Sequence, residues 1–411
     1  MSNRHYDVVV IGGGPAGAMT SYYLARQGVR VAVLEAKAFP RDKPCGGGLQ
    51  ARVISHIPFD ISPIIRGRVR RIALSYGLTR AHTRTAADPL VFTVLRSEFD
   101  QYLLDKARES GAIVRQGTRV QQIATTSGGK VKVVTESDTV TCDCAVGADG
   151  ANSTVNRLLN PRSSYFWQAG VYCEVPEAVL ERGAAEPDRM LVDWGTVRGG
   201  YAWAFPKTGS INIGAGGPTA VARHLRTYAS EFAVRTGLVR RQTAEQLKFT
   251  GHQLPTLTNA TVLAKGRLLL VGDAAGLVDP FTGDGISAAC HSAYIAAQCI
   301  IANLGRGISD VGGYAEQLYS ALAVELLRSR KLLTLSIALP RRIYSLFAHS
   351  DRAWQTFCRV VCGQDSFDAL RKEVLGPFGF ASKAIEFVAS LWEARAIGSA
   401  ACSEPVRTLP T

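Results

Sequence analysis

The spacing of apolar residues at the start of the chain predicts a strand, a helix and a second strand. Val8 to Ile11 form a continuous apolar run, which is typical of a strand buried on both faces of a parallel sheet. The apolar-periodic segment from Ala18 to Arg26 predicts a helix that ends at Gly28. A second apolar run, from Val29 to Leu34, predicts another buried strand. Together these elements indicate an α/β fold.

Similar patterns continue along the chain. A helical period predicts a helix from Ser97 to Glu109, with Ser97 as its N-cap. An uncharged segment runs from Gly285 to Leu304. Because polar residues interrupt it, we expect a buried helix rather than a membrane span, and we expect His291 within it to be a core residue. Apolar or alternating runs predict further strands at 68–76, 92–95, 113–115, 120–124, 131–135, 139–146, 201–205 and 267–271.

Glycines join the first predicted strand to the first predicted helix. Gly12, Gly14 and Gly17 have the spacing GxGxxG, and the acidic Glu35 follows the second strand. Gly12 allows a tight turn, Gly14 lets backbone N–H groups approach a pyrophosphate, and the helix N-terminus supplies partial positive charge. Glu35 would accept hydrogen bonds from an adenosine ribose. The pattern predicts a bound dinucleotide, but it does not separate FAD from NAD.

A turn-rich loop follows Glu35. Its prolines and its three successive glycines, Gly46 to Gly48, exclude a regular helix or strand between residues 39 and 49. Backbone of this composition can approach a planar ligand closely, and the loop carries one thiol, that of Cys45. A surface loop with an inert cysteine is the alternative interpretation. We favour a functional loop, because it lies just downstream of a nucleotide fingerprint.

Later polar residues stand where predicted strands end or predicted helices begin. Asp149, flanked by glycines, and Asp273 each follow a strand, and Asp273 is placed to bind ribose or ribityl hydroxyls. Gly283 and Gly285 precede the long predicted helix, whose N-terminal N–H groups suit the negative charge of a reduced flavin. Arg96 directly precedes the helix predicted from Ser97. It would meet a phosphate or a flavin edge, or form a surface salt bridge.

Large aromatic residues alternate with alanine from Tyr201 to Phe205. On a strand, Tyr201, Trp203 and Phe205 would project from one face. The pattern fits the lining of an apolar slot for a long chain, and it also fits the plain core of a sheet.

The charge of the chain favours anionic partners. Against 34 Asp and Glu there are 47 Lys and Arg, a net charge of +13 in a chain whose 46% hydrophobic content indicates a folded globular protein. A membrane surface or a diphosphate would suit this charge, and so would a solvated basic surface. No nucleic-acid module accompanies it, so we expect no nucleic-acid partner. The apolar segment 332–340 has basic ends. It is too short to span a bilayer, so it would lie at a membrane surface or pack as a tail helix.

Nine cysteines are scattered along the chain. Only Met1 to His5 precede the first predicted strand, which leaves no secretory signal. We therefore expect free thiols in a cytoplasmic protein, with peripheral membrane contact as an option. The close pair Cys142 and Cys144 and the close pair Cys358 and Cys362 have no matching ligands nearby, so we expect no metal.

Several of these segments resemble a known family. The segments at Gly12, Asp149 and Asp273, in this order, resemble those of the flavoprotein class typified by p-hydroxybenzoate hydroxylase. Within that class, residues 41–49 and 200–207 are similar to segments of the geranylgeranyl reductases. The resemblance extends over residues 6 to about 330, and Asp284 stands where many members of the family carry glutamate.

The resemblance implies a fold and its division into domains. An α/β Rossmann-type FAD-binding domain would be interleaved with a β-sheet substrate domain and followed by a C-terminal helical region. We expect the FAD-binding domain at residues 1–75, 96–160 and 260–330. The substrate-binding domain would then comprise 76–95 and 161–259, and the helical region 331–411.

The resemblance also implies residue roles. Cys45 and Gly47 would lie on the flavin face as catalytic residues, and Tyr201, Trp203 and Phe205 would line the pocket for an isoprenoid tail. The FAD contacts that it implies are Gly12, Gly14, Ala16, Gly17, Glu35, Cys45, Gly46, Arg96, Val120, Asp273, Gly283, Gly285 and Ile286.

Three functional hypotheses follow from this resemblance. The first is an FAD-dependent reductase that saturates C=C bonds of an isoprenoid lipid, with NAD(P)H or a reduced electron carrier as the external donor. The second is an FAD-dependent monooxygenase or halogenase acting on an apolar substrate. A halogenase would be expected to carry Trp-x-Trp-x-Ile-Pro, from which Tyr201 to Pro206 departs at the first and fifth positions. The third is a flavin-bearing lipid-binding protein without turnover.

Overall fold

A computed structural model describes residues 4–161, 164–304, 311 and 313–376. The described residues form a mixed α/β fold, as predicted, with three sheets. The strands are β1 (Arg4–Ile11), β2 (Val31–Leu34), β3 (Gly48–Gln50), β4 (Gly67–Val69), β5 (Arg71–Tyr76), β6 (His82–Thr85), β7 (Val91–Thr93), β8 (Ile113–Arg115), β9 (Val120–Thr125), β10 (Val131–Thr135), β11 (Thr139–Gly147), β12 (Tyr165–Pro176), β13 (Arg189–Trp194), β14 (Tyr201–Lys207), β15 (Ser210–Pro218), β16 (Thr250–Leu257), β17 (Ala264–Lys265) and β18 (Leu268–Leu270). The α-helices are α1 (Pro15–Ala25), α2 (Arg96–Glu109), α3 (Thr154–Leu159), α4 (Leu225–Arg235), α5 (Arg241–Gln246), α6 (Ile286–Leu304), α7 (Tyr314–Leu318), α8 (Val324–Ala338), α9 (Pro340–His349), α10 (Asp351–Val361) and α11 (Phe367–Leu375).

The first sheet contains the predicted strand–helix–strand unit. Its order is β17-β18-β11-β1-β2-β8, and β10 pairs with β11 and with β9. β1 runs parallel to both of its neighbours, β11 and β2. Val8, Val9 and Val10 are fully buried, as expected for a strand covered on both faces. α1 begins at Pro15, three residues before the predicted start, and packs against α6, which confirms the long buried helix.

The second sheet carries the alternating aromatic residues. Its order is β16-β12-β15-β14-β13-β5-β6, and α4 covers one face, where Ala202 and Ala204 pack with Phe232. Tyr201 and Phe205 project from the opposite face. A short third sheet has the order β3-β7-β4, and its strands β4 and β7 contact β14 of the second sheet.

The segment 68–76, predicted as one strand, changes sheet at Arg70. β4 ends at Val69 in the third sheet, and β5 begins at Arg71 in the second. The N–H groups of Arg70 and Arg71 both donate to the carbonyl oxygen of Asp188, each at 3.0 Å, which fixes the bend. A division that assigns residues 1–75 to the first domain therefore cuts through a strand of the second sheet. We propose Arg70 as the boundary instead.

Two local predictions also need correction. Leu95, not Ser97, occupies the N-cap position of α2, because Arg96 is already helical and pairs with Asp100 one turn later. The loop from residue 39 is free of regular structure only as far as Gly47, since Gly48 opens β3 and pairs with Thr93.

The helices after α7 cover the face of the second sheet from which Tyr201 projects. Leu332, Leu333 and Leu335, from the apolar segment 332–340, are buried in one cluster with Phe347 and Trp354. These leucines pack as a tail helix would, so they are not free to contact a membrane. Residues 377–411 of the expected helical region lie outside the described part of the chain. In the described part, no helix is both long enough and apolar enough to cross a membrane.

Candidate active site

A polar cleft lies at the carboxyl ends of β1 and β2, where ligands bind in open α/β sheets. The N-terminus of α1 points into it. Eleven of the thirteen residues predicted to bind the cofactor line this one cleft. They are Gly12, Gly14, Ala16, Glu35, Cys45, Arg96, Val120, Asp273, Gly283, Gly285 and Ile286.

The other two predicted residues, Gly17 and Gly46, lie outside the cleft lining. A Cβ on Gly17 would overlap the carbonyl oxygen of Gly12, so glycine lets α1 pack against the turn that follows β1. Gly17 therefore shapes the cleft from behind. Gly46 faces the apolar cavity described below.

Glu35 holds the glycine-rich turn. Its Oε2 accepts a hydrogen bond from the N–H of Gly13 at 2.7 Å, and its Oε1 accepts one from the N–H of Lys37 at 2.8 Å. The carboxylate is buried and still borders the cleft. It thus has a structural role in the turn that the fingerprint does not reveal, and its contact with a ribose stays a prediction.

Arg96 forms a buried ion pair within the wall of the cleft. Its guanidinium donates to both oxygens of Asp100 at 2.8 Å, and Arg41 approaches the same carboxylate at 3.1 Å. Burial opposes the charge of Arg96, but Asp100 and the Cys45 thiol beside it raise its pKa above the ordinary value. The alternative interpretation, a salt bridge at the surface, is therefore wrong in its location, and Arg96 stays charged beside the cleft.

Asp273 is paired in the same way. Lys43 donates to its Oδ2 at 2.9 Å. Burial alone would raise the pKa of Asp273, but Lys43 holds it below its ordinary value. The acid is therefore an ionised hydrogen-bond acceptor at the cleft.

Two buried polar atoms of the cleft have no hydrogen-bond partner among the described residues. One is Oδ1 of Asp149, whose Oδ2 accepts from the N–H of Thr154 at 2.6 Å, and the other is Nε2 of His252. Burial, and then the charge of Lys43, lower the pKa of His252 to about 4, so its imidazole is neutral near pH 7. Buried polar atoms in proteins are almost always paired. A ligand rich in hydroxyl and amide groups, such as FAD, would supply the missing partners, so the cleft fits this cofactor.

Asp284 organises the start of α6. Its Oδ1 accepts from the N–H groups of Ile286 and Ser287, at 3.0 and 3.2 Å, and its Oδ2 accepts from Arg52 at 3.1 Å. These two helical N–H groups therefore face Asp284 rather than the cleft. The aspartate that departs from the family pattern is thus a helix cap paired with an arginine.

An apolar cavity adjoins the cleft, with about 1490 Å³ of empty space including its opening to solvent. Tyr201, Trp203 and Phe205 all line it, which confirms that they share one face of β14. Their ring centroids are 5.6 and 6.3 Å apart in succession. Both polar groups of the first two rings are bonded: Tyr201 donates to the carbonyl of Thr282 and Trp203 to Asn212, each at 2.9 Å. These rings form a cavity wall instead of a solid sheet core.

The cleft and the apolar cavity meet at a junction that five residues line in common: Pro44, Cys45, Gly283, His252 and Leu254. The sulfur of Cys45 lies next to Gly47, whose N–H donates to it at 3.3 Å. Gly46 lies under Phe205, because a Cβ there would come within 2.8 Å of that ring. The predicted loop residues are thus brought to the boundary between the two spaces.

Sequence patterns did not identify every residue of this site. Nothing in the neighbourhood of His252 or Asn212 along the chain marks them. Asp100 stands four residues after Arg96, which is the spacing of an ion pair on a helix. Asn212 accepts from Trp203 and donates to the carbonyl of Cys45 at 3.3 Å, so it links the aromatic wall to the junction.

Comparison with known proteins agrees with this arrangement. Residues 5–164 match the family model of an FAD binding domain. The chain is 31% identical to a geranylgeranyl diphosphate reductase of Rhodobacter capsulatus over 313 residues, which cover 74% of this chain and 76% of the relative. It is 30% identical to a menaquinone reductase of Mycolicibacterium smegmatis over 336 residues, covering 75% and 78%. Its fold is similar to that of a geranylgeranyl bacteriochlorophyll reductase-like protein of Thermoplasma acidophilum, with a TM-score of 0.76, 22% identity and coverage of 93% and 99%. The chain belongs to the geranylgeranyl reductase family of FAD-dependent oxidoreductases.

Proposed function

We propose that this protein saturates C=C bonds of an isoprenoid chain at a reduced flavin. The observation that carries the proposal is the shared lining of the cofactor cleft and the apolar cavity at Cys45, Gly283 and His252. FAD, when bound and reduced, supplies a hydride. The protein holds the chain beside it, keeps water away and provides a proton.

The apolar cavity suits an unbranched or methyl-branched hydrocarbon. Its walls are mainly aliphatic and aromatic, and the one acidic side chain that the described residues bring to them, Asp284, is paired with Arg52. Burial of each methylene contributes roughly 0.8 kcal/mol, so a long chain would bind through burial alone. Tyr201, Trp203 and Phe205 orient it along β14.

FAD would bind through the residues that line the cleft. In this proposal the turn at Gly12 and Gly14, with Ala16, takes the pyrophosphate at the N-terminus of α1, where an anion is favoured. Glu35 accepts from the adenosine ribose, and Asp273 accepts from the ribityl hydroxyls. The other lining residues that would contact the cofactor are Arg96, Val120, Gly283, Gly285 and Ile286.

Cys45 is the residue that we propose as proton donor. Its thiol gives the proton to one carbon of the double bond as the hydride reaches the other, so that one C=C bond becomes one C–C bond with two new C–H bonds. The N–H of Gly47 and the guanidinium of Arg96 stabilise the thiolate that is left. Water then returns a proton to it. Gly47 acts by positioning the sulfur.

The test is anaerobic reduction of the FAD-loaded protein with dithionite, followed by incubation with geranylgeranyl compounds and mass spectrometry. Dithionite makes the result independent of the physiological donor, NAD(P)H or a reduced carrier. We expect a gain of two hydrogens per saturated bond. Unchanged masses for the diphosphate, phospholipid, quinone and chlorin forms would contradict the proposal, and oxygen consumption stimulated by an apolar substrate would favour a monooxygenase instead.

A prenylated quinone is the second candidate substrate. The relative from Mycolicibacterium smegmatis is named a menaquinone reductase, and its identity to this chain is close to that of the diphosphate reductase. Menaquinone carries an isoprenoid tail, so the same cavity would hold it. The two substrates differ in their headgroups, one neutral and one anionic.

A further inference from the structure

Asn212 connects the aromatic wall of the apolar cavity to the loop that carries Cys45. We propose that Asn212 is a positioning residue, which holds the Cys45 thiol for proton delivery and makes that hold depend on Trp203, against which the chain packs. This inference rests on the proposed function and extends it from the residues that line the cavity to one that is fully buried behind them.

Asn212 lies in the middle of the second sheet. On β15 it pairs with Glu174 of β12 on one side and with Phe205 of β14 on the other, so these three side chains share one face of the sheet. The ring of Trp203 crosses β15 on the same face, because Gly214 leaves room for it: a Cβ there would come within 2.3 Å of the ring. Trp203 therefore reaches Asn212 from the wall of the cavity.

The partners of the Asn212 side chain fix the direction of its amide. Its Oδ1 accepts from Nε1 of Trp203 at 2.9 Å, and its Nδ2 donates to Glu174 at 2.9 Å and to the carbonyl oxygen of Cys45 at 3.3 Å. An indole N–H only donates, and a carboxylate or a carbonyl oxygen only accepts, so a reversed amide would present the wrong group to all three partners. An apolar residue of the same size would leave the N–H of Trp203 and the carbonyl of Cys45 without this partner.

Glu174 anchors the far side of the amide. Its carboxylate also accepts from Nζ of Lys207 at 2.7 Å. The Lys207 side chain is only 2% exposed, and a Cβ on Gly47 would lie 3.1 Å from its Nζ, so this ion pair lies against the loop. The carboxylate therefore supports the loop at two points, through Asn212 at the carbonyl of Cys45 and through Lys207 beside Gly47.

The position of the thiol depends on the carbonyl that Asn212 holds, because both groups belong to Cys45. The sulfur accepts from the N–H of Gly47 at 3.3 Å and lies beside the guanidinium of Arg96. If the carbonyl is released, the residue can rotate, and the sulfur then leaves these two groups, which stabilise the thiolate. Proton delivery requires a fixed distance to the chain, so a displacement of about 1 Å would slow it. A chain packed against Trp203 thus holds, through Asn212, the group that protonates it.

Alkylation of Cys45 by iodoacetamide tests the inference without turnover. The FAD-loaded full chain is treated at about pH 7.5, and mass spectrometry follows the modification of Cys45, with that of Cys362 as the internal reference. We expect Asn212→Leu to slow alkylation of Cys45 about tenfold, because the thiolate is the nucleophile and loses its partners. Asn160→Leu is the matched control, since Asn160 is also buried and also donates to a carbonyl, that of Val262 at 2.8 Å, but lies outside the linings of the cleft and the apolar cavity. It should change the rate less than about twofold.

Trp203→Phe breaks the same link from the other end. It keeps a ring in the cavity wall and removes the N–H that Asn212 accepts. We expect slower alkylation of Cys45 here too, and the effects of Asn212→Leu and Trp203→Phe should not add in the double variant. In prenyl reduction, Asn212→Leu should lower kcat about tenfold and change KM less than about twofold, because Asn212 does not touch the chain.

Several results would overturn the inference. Alkylation of Cys45 at the wild-type rate in Asn212→Leu, equal slowing in Asn160→Leu, or additive effects of Asn212→Leu and Trp203→Phe would each refute the link. If urea denaturation shows that Asn212→Leu does not fold, wild-type alkylation in Trp203→Phe would refute it alone. Slowed alkylation in both variants of a protein that leaves every prenyl chain unreduced would refute the proposed reduction and support the link.

Discussion

The N–H of Gly47 donates a hydrogen bond to the sulfur of Cys45, at 3.3 Å, across the tight turn of the loop that separates the cofactor cleft from the apolar cavity. Gly47 has a φ of +70°, a region that favours glycine, and a Cβ there would overlap the carbonyl oxygen of Val94. The same residue therefore fixes the turn and aims an N–H at the thiol.

Replacement of Gly47 by alanine should disrupt this loop. The strained φ and the overlap with Val94 together should lower the free energy of unfolding by about 2–4 kcal/mol, and turnover should be lost. Urea denaturation and prenyl reduction measure the two effects. Gly28→Ala is the matched control, since Gly28 also has a positive φ, +75°, but its added Cβ meets nothing within 4 Å. Equal effects of the two substitutions would show that the contact with Val94 is irrelevant.

Replacement of Cys45 by serine should separate binding from chemistry. A hydroxyl keeps the size of the group but is a far weaker acid than a thiol, so we expect turnover to fall by about 10²–10⁴. FAD content and the affinity for the prenyl substrate should change less than about threefold. Cys362→Ser, at the C-terminal end of α10, serves as the control. Normal turnover of Cys45→Ser would exclude the thiol as the proton source. An unchanged affinity in a protein with no turnover to lose would favour a lipid-binding role.

Acid should destabilise the protein through imidazoles whose pKa burial lowers, and the shift is largest at His56 and His252. Burial first lowers the pKa of both His56 and His252 to about 4, helped at His56 by the stacked His291, 4.2 Å away. The unfolded chain binds these protons near pH 6.5. Their contribution to stability is therefore complete above about pH 6.5 and is lost as the pH falls toward 4.

We expect a loss of about 1 kcal/mol for each histidine by about pH 5, after allowance for partial exposure. Urea unfolding at about pH 7.5 and about pH 5 measures it. His56→Phe keeps a ring against His291 and should reduce the pH effect, whereas substitution of the exposed His224 by glutamine should leave it unchanged. A pH effect of the same size in His56→Phe would contradict this assignment.

Local sequence predicted those parts of the fold that repeat a local rule. The turn at Gly12, the acid at Glu35 and the alternation at Tyr201 each depend on neighbours within a few residues or one strand–helix unit. The break at Arg70 was missed because its cause, the carbonyl of Asp188, lies far along the chain. The charged residues and the alternation of apolar and polar residues around Arg70 are compatible both with a continuous strand and with a strand that changes sheet.

The residues of the candidate site also divide into those that a local motif marks and those that only folding brings together. Most of the motif glycines and acids line the cleft, but His252 and Asn212 come from separate strands and meet the other residues of the site only in the folded protein. Arg96 is the clearest example of a residue whose environment depends on folding. Its position was predicted, yet its partner Asp100 is buried beside Arg41, and only tertiary packing supplies that environment.

The close packing of Gly46 against Phe205 allows a double-mutant test of the aromatic wall, in which the second substitution removes the overlap that the first creates. A Cβ on Gly46 would lie 2.8 Å from the Phe205 ring and 3.1 Å from Nε1 of Trp203. Gly46→Ala should therefore cost about 1–3 kcal/mol by overpacking. Phe205→Ala removes the ring, so the double variant should be more stable than the sum of the single effects predicts, by about 1 kcal/mol or more.

The double variant that combines Gly47→Ala with Phe205→Ala is the control for this test. The added methyl at Gly47 meets Val94 rather than the ring, so these two effects should add. Urea denaturation of all single and double variants gives both coupling energies. If Gly46→Ala and Phe205→Ala are additive as well, Phe205 does not pack on the loop that carries Cys45, and the aromatic wall cannot bring a bound chain to the thiol.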